Sequence, residues 1–393
     1  MLLDLFYLDR VEWGLPDPTI PGSKLYGGAG TFTTGATASN VLGLALGRQW
    51  VLNRGTGMSV GEHGLVECMR VVDVPFVKIL STMPHSSIAK AAAIVGFGRT
   101  SVISIAGDED PLKIDMAKLR DEVGKEGGRG RYIVTVSAGE VNTGRFATDS
   151  GEQMRELRGF CDEHGIWLHV DGAFGLFGRV LLQSKAGEAG EYAEIVKGVQ
   201  GLELADSITG DGHKLLNVPY DCGFFFTRHR WLSEEVFQNG NAAYLSSGAG
   251  SGDGISNPSN IGIENSRRFR ALPVYATLTH YGRAGYADML KRQIGLARRV
   301  AGWIFDHSGY ELLPVGQNRA KMLAQTLMIV LFRARDDTKS KNLVEGINAS
   351  GKIYITGTSW DGRPAARIAV SNWQVDIERD SRRIFEVLET IVS

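Results

Sequence analysis

The sequence predicts an α/β protein with a mostly parallel sheet in a large domain and a smaller α+β domain at the C-terminal end. Strand and helix patterns alternate through the middle of the chain, and this order is lost towards the C-terminus. A chain of 393 residues is also long enough for two cores. We place the large domain at residues 1–275 and the small domain at residues 276–393.

The alternation begins with a predicted helix at residues 86–96, "SSIAKAAAIVG". Five further patterns follow, read as strand, helix, strand, helix and strand: "SVISIAG", "DMAKLRDEVGKEG", "RYIVTVSAG", "GEQMRELRGFCDEHG" and "IWLHVDGAFG". Strands joined by crossover helices pair in parallel, and functional groups gather at their carboxyl ends. We therefore expect the site at that edge of the sheet.

The flanking segments are less regular. The first thirteen residues predict a stub of amphipathic helix, and residues 246–260, "SSGAGSGDGISNPSN", are either a disordered connector or a mobile active-site flap. A long helical pattern follows, broken near Gly282 and Gly285. The small domain then combines "LAQTLMIVLFRA", a helix around 340–350, "KIYITGTSW", "AARIAVSNW" and the final helix "DIERDSRRIFEVLETIV".

Composition excludes several classes of protein. The 43 Lys and Arg residues nearly balance the 44 Asp and Glu residues, so no global field favours nucleic acid or an anionic membrane. The three cysteines, Cys68, Cys161 and Cys222, have the spacing of neither a zinc site nor a disulfide framework. With no export signal and no membrane-spanning run, we expect a cytoplasmic protein without a metal.

A turn rich in Gly and Thr precedes an apolar helix in "YGGAGTFTTGATASNVLGLALGRQW". Small residues at a helix start let backbone N–H groups close on an anion, and the helix dipole adds to the attraction. The segment is therefore a candidate phosphate cradle, although an ordinary capped helix fits it as well. It lacks the Gly-Lys-Ser/Thr ending of a nucleotide P-loop, which argues against a kinase or an ATPase.

Two charged residues complete a possible site. Asp171 follows a buried strand pattern, so its carboxylate either pairs with a cation, such as a protonated ring nitrogen, or caps the next loop. Lys214 lies beside His213 in "SITGDGHKLLNVPYDCG", and a lysine held in a pocket can react with an aldehyde. A phosphate cradle, an acid and an amine are the three fixed points that pyridoxal phosphate requires.

The chain resembles the pyridoxal-phosphate-dependent group II amino acid decarboxylases, which act on glutamate, aromatic amino acids, histidine and related substrates. The resemblance runs from about residue 27 to the C-terminus and rests on "TFTTGATASN", "MPHSSIAKAAAIVGFG", "SAGEVNTG", "IWLHVDGAFG", "ADSITGDGHKLLNVPYDCG", "SRRFRALPVYATL" and "ARIAVSNW". It implies the fold of type I pyridoxal-phosphate enzymes (aspartate aminotransferase-like), a homodimer, and decarboxylation of an L-amino acid to an amine.

The resemblance also implies roles for single residues. Lys214 would form the Schiff base with the cofactor, Asp171 would pair with its pyridine nitrogen, and His85 would stack on its ring. Further cofactor contacts are implied for Ala36, Thr37, Asn142, Ala173, Thr209, Asp211 and His213. His169, by contrast, we interpret as structural.

Two more residues are candidates for the reaction itself. Tyr244 lies 30 residues after Lys214 (244 − 214), where the family carries a loop tyrosine that protonates the carbanion after carbon dioxide departs. The alternative for Tyr244 is an ordinary loop anchor. Arg367 is a candidate for binding the substrate carboxylate, because its planar fork suits bidentate pairing, and a surface arginine is the alternative.

The chain departs from the family at three places. Glu140 adds an acidic side chain before "VNTG", and the resemblance would put it near the cofactor, where we expect it to bear on substrate choice. Leu215 replaces the usual Trp after the lysine, and the segment before "GGAGTFTTGATASN" is short for the family. Two other functions remain open. The fold also supports transaminases, lyases and aldolases, and a catalytically silent protein could keep the cofactor site.

Overall fold

Two β-sheets organise the protein. The computed structural model describes residues 1–15, 27–53, 56–182, 190–239, 258–316 and 318–392. Within these residues one sheet has seven strands and the other has four. The strands are β1 Ala29–Thr33, β2 Val77–Ser81, β3 Val102–Ser104, β4 Arg131–Ser137, β5 Trp167–Asp171, β6 Ser207–Asp211, β7 Gly223–Thr227, β8 Tyr310–Leu313, β9 Ile329–Ala334, β10 Thr356–Trp360 and β11 Arg363–Ala369.

The large sheet is mostly parallel, as predicted. Its strand order is β1-β7-β6-β5-β4-β2-β3, and the pairs from β6 to β3 are parallel. The exception is β7, "GFFFT", which pairs antiparallel with β1 and with β6. All five of its residues are buried, so no alternation of apolar and polar residues marks this strand in the sequence.

Helices pack against both sheets. The α-helices in the described residues are α1 Leu2–Leu5, α2 Arg10–Trp13, α3 Ala36–Asn53, α4 Val60–His63, α5 Leu65–Val71, α6 Ser86–Ile94, α7 Met116–Gly124, α8 Gly151–His164, α9 Ala193–Val199, α10 Gly212–Leu215, α11 Arg230–Phe237, α12 Ala271–Asp306, α13 Arg319–Gln325, α14 Asp337–Ala349 and α15 Ile377–Val392. The predicted helices of the alternating region are therefore confirmed as α6, α7 and α8, each ending slightly earlier than its pattern.

Helix α3 lies directly against the large sheet. A Cβ atom on Gly43 would lie 2.5 Å from the ring of His169 in β5, and one on Gly47 would lie 2.8 Å from Trp167. Only glycine permits so close an approach at these two positions. The contact brings the first turn of α3 to the carboxyl ends of β5 and β6.

The prediction of a single N-terminal helical stub is wrong. The helix ends at Leu5, Tyr7 has a positive φ of 51°, and a second helix begins at Arg10. Asp9 caps this second helix, because its carboxylate accepts hydrogen bonds from two backbone N–H groups. The break lets Phe6 enter the core, where its ring packs on Phe224 with 5.6 Å between centroids.

The small sheet is antiparallel, in the order β10-β11-β9-β8, and α12 connects it to the large sheet. The predicted break in this long helix is confirmed at Gly282, with φ 57° and ψ −175°, whereas Gly285 is helical. The predicted boundary between residues 275 and 276 falls inside the first turns of α12. In the described residues, no helix combines the length and apolar character needed to cross a membrane.

Candidate active site

A cavity of about 370 Å³ lies where β4, β5 and β6 end and α3 begins. Three strand-terminal residues line it, namely Ser137, Asp171 and Asp211. This is the edge at which ligands bind in parallel sheets. The predicted residues that line the cavity are Ala36, Thr37, His85, Asp171, Ala173, Asp211, His213 and Lys214.

Lys214 is held by two contacts. Its Nζ lies 2.9 Å from Oδ2 of Asp211 and 3.9 Å from the ring centroid of Phe174. A carboxylate and an aromatic face both attract an ammonium group. Both partners line the same cavity, so the amine of Lys214 is fixed at its wall.

The first turn of α3 presents backbone donors to the cavity. The N–H of Ala36 donates to Oδ1 of Asp211 at 2.7 Å. The N–H groups of Thr37 and Ala38 meet no acceptor among the residues that the structure describes. Unpaired N–H groups at the start of an 18-residue helix form a suitable site for a phosphate group.

Asp171 lies at the buried end of β5. Its Oδ2 accepts a hydrogen bond from Nδ2 of Asn40 at 2.9 Å, and its Oδ1 accepts one from the N–H of Ala173 at 3.3 Å. A carboxylate that accepts hydrogen bonds on both oxygens is fixed in position. It is therefore suited to pair with a protonated nitrogen inside the cavity.

His85 lies at the start of α6 and caps that helix. Its Nδ1 accepts the N–H of Ser87 at 3.1 Å and lies 2.7 Å from the hydroxyl oxygen of Ser87. Both contacts fix the orientation of the ring. Since His85 also lines the cavity, an imidazole is available as a stacking surface.

His213 is fixed beside Lys214 by backbone and aromatic contacts. Its Nδ1 accepts the N–H of Cys222 at 3.2 Å, and its ring stacks on Tyr220 with 4.2 Å between centroids. Burial lowers the pKa of His213, although the charge of Asp211 opposes this shift. A neutral imidazole therefore stands at this wall at pH 7.

Three predicted residues lie outside the cavity lining. Thr209 is buried in β6, with Oγ1 3.5 Å from Nε2 of His169. The Nδ2 of Asn142 donates to Glu140 at 3.1 Å, and its Oδ1 accepts from Thr358 of the small sheet at 2.9 Å. The third is Arg367. Tyr244 lies outside the residues that the structure describes.

Arg367 is not part of the cavity lining but lies near the ring of Phe174, which is. Its Nε donates to the carbonyl of Val141, and its guanidinium carbon lies 5.7 Å from the Phe174 ring centroid. Burial lowers the pKa of Arg367, and the charge of Glu140 opposes that shift. The guanidinium is therefore held between the turn after β4 and the ring of Phe174, which also contacts Lys214.

The structure adds site residues that the sequence analysis did not single out. Asn40 and Phe174 contact Asp171 and Lys214, and Tyr220 covers His213. The sequence offered one signal for Asn40, which is a polar residue within an apolar helix. A polar side chain that is buried in such a helix must find hydrogen-bond partners. Tyr220 is exposed at the mouth of the cavity and carried no such signal.

Comparison with known proteins identifies the family. The model of the pyridoxal-dependent decarboxylase conserved domain matches residues 2–323. The chain belongs to this family. Among curated relatives, an L-2,4-diaminobutyrate decarboxylase of Acinetobacter baumannii is 30% identical over 73% of this chain. An aromatic-L-amino-acid decarboxylase of Bacillus atrophaeus is 28% identical over 87% of it.

Solved structures confirm the predicted fold class. The Oryza sativa TDC with PLP and tryptamine has a TM-score of 0.76 at 20% identity, covering all of this chain and 74% of its own. The glutamate decarboxylase domain from Vibrio parahaemolyticus has a TM-score of 0.71 at 22% identity, and the match covers 100% of this chain and 70% of that domain's chain. This chain spans 54% and 65% of the lengths of the two bacterial relatives.

The cofactor of the family, pyridoxal phosphate, fits the residues of the cavity. The N–H groups of Thr37 and Ala38, which have no acceptor in the described part of the chain, suit a phosphate. The carboxylate of Asp171 suits a protonated ring nitrogen, and the amine of Lys214 suits an aldehyde. The volume of the cavity is also sufficient for a ligand of that size.

Proposed function

We propose that the protein is a carboxy-lyase that uses pyridoxal phosphate to convert an L-amino acid into an amine and carbon dioxide. The observation that carries the proposal is that Asp171 and Lys214 line one cavity together with the first turn of α3. Membership of the pyridoxal-dependent decarboxylase family supports the reaction type. The names of the two bacterial relatives support an amino acid as substrate.

The cavity residues would hold the cofactor at three points. The first turn of α3 would bind the phosphate, Lys214 would hold the aldehyde carbon, and His85 would pack on the ring. When bound, pyridoxal phosphate supplies an electron sink for the pair of electrons that the departing carbon dioxide leaves behind.

The residues in and around the cavity would then have separate tasks. The carboxylate of Asp171 would keep a proton on the ring nitrogen, and the N–H groups of Asn40 and Ala173 hold that carboxylate in place. Lys214 would give way to the substrate amine and return after product release. Arg367 would attract the substrate carboxylate from its position near Phe174, since its guanidinium carries a positive charge.

The proposed homodimer is supported by apolar side chains near the start of α12. Phe269, Leu272 and Tyr275 are between 58% and 72% exposed, which is unusual for neighbouring large apolar residues. A second subunit would cover them. We also propose a cytoplasmic location, which the three buried and free cysteines support.

A second candidate reaction is oxidative formation of an aldehyde. A 4-hydroxyphenylacetaldehyde synthase of Rhodiola rosea is 25% identical over 88% of this chain. The relatives therefore include proteins named as decarboxylases and a protein named as an aldehyde synthase. A transaminase, lyase or aldolase activity is a further alternative on this fold.

Purified protein, supplied with pyridoxal phosphate and a panel of acidic, basic and aromatic L-amino acids, tests the proposal. Release of carbon dioxide with an equal amount of amine supports a decarboxylase. Aldehyde with hydrogen peroxide would favour the second candidate. Cofactor binding without turnover of any amino acid would contradict both and indicate a catalytically silent protein.

A further inference from the structure

A continuous line of buried hydrogen bonds runs behind the cavity, from β5 to the start of α6. It begins at Trp167, whose Nε1 lies 3.2 Å from Oγ of Ser207. The same Oγ lies 2.8 Å from Nδ1 of His169, and Nε2 of His169 lies 2.9 Å from Oδ1 of Asn40. These four residues are completely buried, so each polar atom depends on its protein partner.

Asn40 divides the line into two branches. Its Nδ2 donates to Oδ2 of Asp171 at 2.9 Å and to Oγ of Ser87 at 3.0 Å. The hydroxyl of Ser87 lies 2.7 Å from Nδ1 of His85. One amide group therefore contacts the carboxylate proposed for the ring nitrogen and, through Ser87, the imidazole proposed for the ring face.

The donors at the two ends limit the directions of the bonds in the line. The indole N–H of Trp167 can only donate, so Ser207 accepts from it and keeps its own hydrogen available for Nδ1 of His169. With that hydrogen given to Nδ1, His169 carries its proton on Nε2, which donates to Asn40. Burial lowers the pKa of His169 to about 4, although Asp171 opposes this shift, so its ring is neutral at pH 7.

The other end fixes the direction. The backbone N–H of Ser87 can only donate, and it donates to Nδ1 of His85. That nitrogen is therefore an acceptor, so the hydroxyl of Ser87 also donates to it and must accept from Asn40. The Asn40 amide therefore presents its NH₂ to Asp171 and Ser87 and its oxygen to His169, so a neutral His169 donates from Nε2 and accepts the Ser207 hydrogen at Nδ1.

We propose that Asn40 is a positioning residue that couples the two cofactor contacts, Asp171 and His85. Its NH₂ group holds the Asp171 carboxylate in place and, by fixing the Ser87 hydroxyl, leaves the ring proton of His85 on Nε2. The inference rests on the proposed function for the roles of Asp171 and His85. The hydrogen-bond line itself does not depend on that function.

The first test reads the ring protons directly. In full-length protein labelled with ¹⁵N-histidine and prepared without cofactor, long-range ¹H–¹⁵N correlations assign the neutral tautomer of each ring. The expected result is a proton on Nε2 in both His85 and His169 at pH 7. A proton on Nδ1 of either ring would overturn the inference, because the line would then run in another direction.

The second test measures the equilibrium dissociation constant of pyridoxal phosphate for Asn40→Leu. Leucine fills the same space without donors, so we expect the constant to rise by about tenfold or more, as for the loss of a hydrogen bond to a charged group. Gln49→Leu is the matched control. Gln49 is also a buried amide on α3, and it bonds to Met58, Val60 and Glu235 away from the cavity.

The two variants separate positioning from general loss of stability. An unchanged dissociation constant in Asn40→Leu, or an equal rise in Gln49→Leu, would overturn the inference. If Asn40→Leu does not fold, Ser87→Ala replaces it, with a rise of a few fold expected because only the His85 branch loses a donor. Failure of the wild-type protein to bind pyridoxal phosphate would instead contradict the proposed function. The tautomer test would still determine the direction of the hydrogen bonds in the line.

Discussion

The carboxylate of Asp211 forms an ion pair with the ammonium group of Lys214, with 2.9 Å between Oδ2 and Nζ. Its other oxygen accepts the N–H of Ala36 at 2.7 Å. One side chain at the end of β6 therefore fixes both the lysine and the start of α3. The amine and the phosphate site are held in register by the protein itself, so the cofactor meets a preorganised cavity.

Asp171→Asn is expected to lower decarboxylation by about a hundredfold or more, a typical cost of losing one charged contact to a reacting group. Asparagine keeps the shape of the side chain but cannot hold a proton on the ring nitrogen by charge. The thermal midpoint of the cofactor-free protein should change little by comparison. Near wild-type turnover would mean that Asp171 is only structural.

Glu140→Gln is expected to weaken the turn after β4 and to leave substrate preference unchanged. The carboxylate of Glu140 is buried and accepts four hydrogen bonds, from the N–H and the side chain of both Asn142 and Thr143. We expect a loss of about 1–3 kcal/mol in unfolding free energy, measured by urea denaturation. A changed ratio of kcat/KM between acidic and aromatic amino acids would show that Glu140 selects the substrate.

The neutral state of His169 makes stability depend on pH. Burial lowers its pKa from the ordinary 6.5 to about 4, so its contribution is complete above pH 6.5 and is lost as the pH falls towards 4. Between pH 7 and pH 5 this amounts to about 2 kcal/mol of unfolding free energy. His169→Gln should lose that part of the pH dependence, measured on the cofactor-free protein. An identical dependence in the two proteins would be inconsistent with a neutral His169.

Tyr244→Phe is expected to change the product rather than to abolish carbon dioxide release. This prediction rests on the sequence, because Tyr244 lies outside the described residues. Without the phenol proton, the carbanion left at the α-carbon would react with oxygen, giving aldehyde, ammonia and hydrogen peroxide under air. Product analysis under air and under nitrogen checks this, and amine alone at the wild-type rate would assign the proton to another acid.

Much of the fold could be predicted because its patterns are local. The helices α6, α7 and α8 and the strands β4 and β5 show their periodicities within a dozen residues. The strand β7 was not predicted, since its three consecutive phenylalanines are buried on both faces and show no alternation. The break at Tyr7 was also missed, because a left-handed residue other than glycine leaves little trace in a sequence.

Site residues could be predicted where they belong to recognisable sequence motifs. They could not be predicted where their position depends on contacts with residues far away in the sequence. Lys214, Asp171 and His85 stand in recognisable segments and line one cavity. Asn142 and Arg367 are held by partners 216 and 226 residues away, across the two sheets. No local pattern specifies such contacts, because they depend on how the small sheet packs against the large one.

Borohydride reduction of the protein loaded with pyridoxal phosphate, followed by peptide mapping, tests the central claim most directly. Reduction fixes the cofactor to the amine that holds it, and the label is then located by mass spectrometry. We predict a single pyridoxyl group on Lys214, and Lys214→Arg should carry none. A pyridoxyl group on another lysine, or on no lysine, would contradict the account.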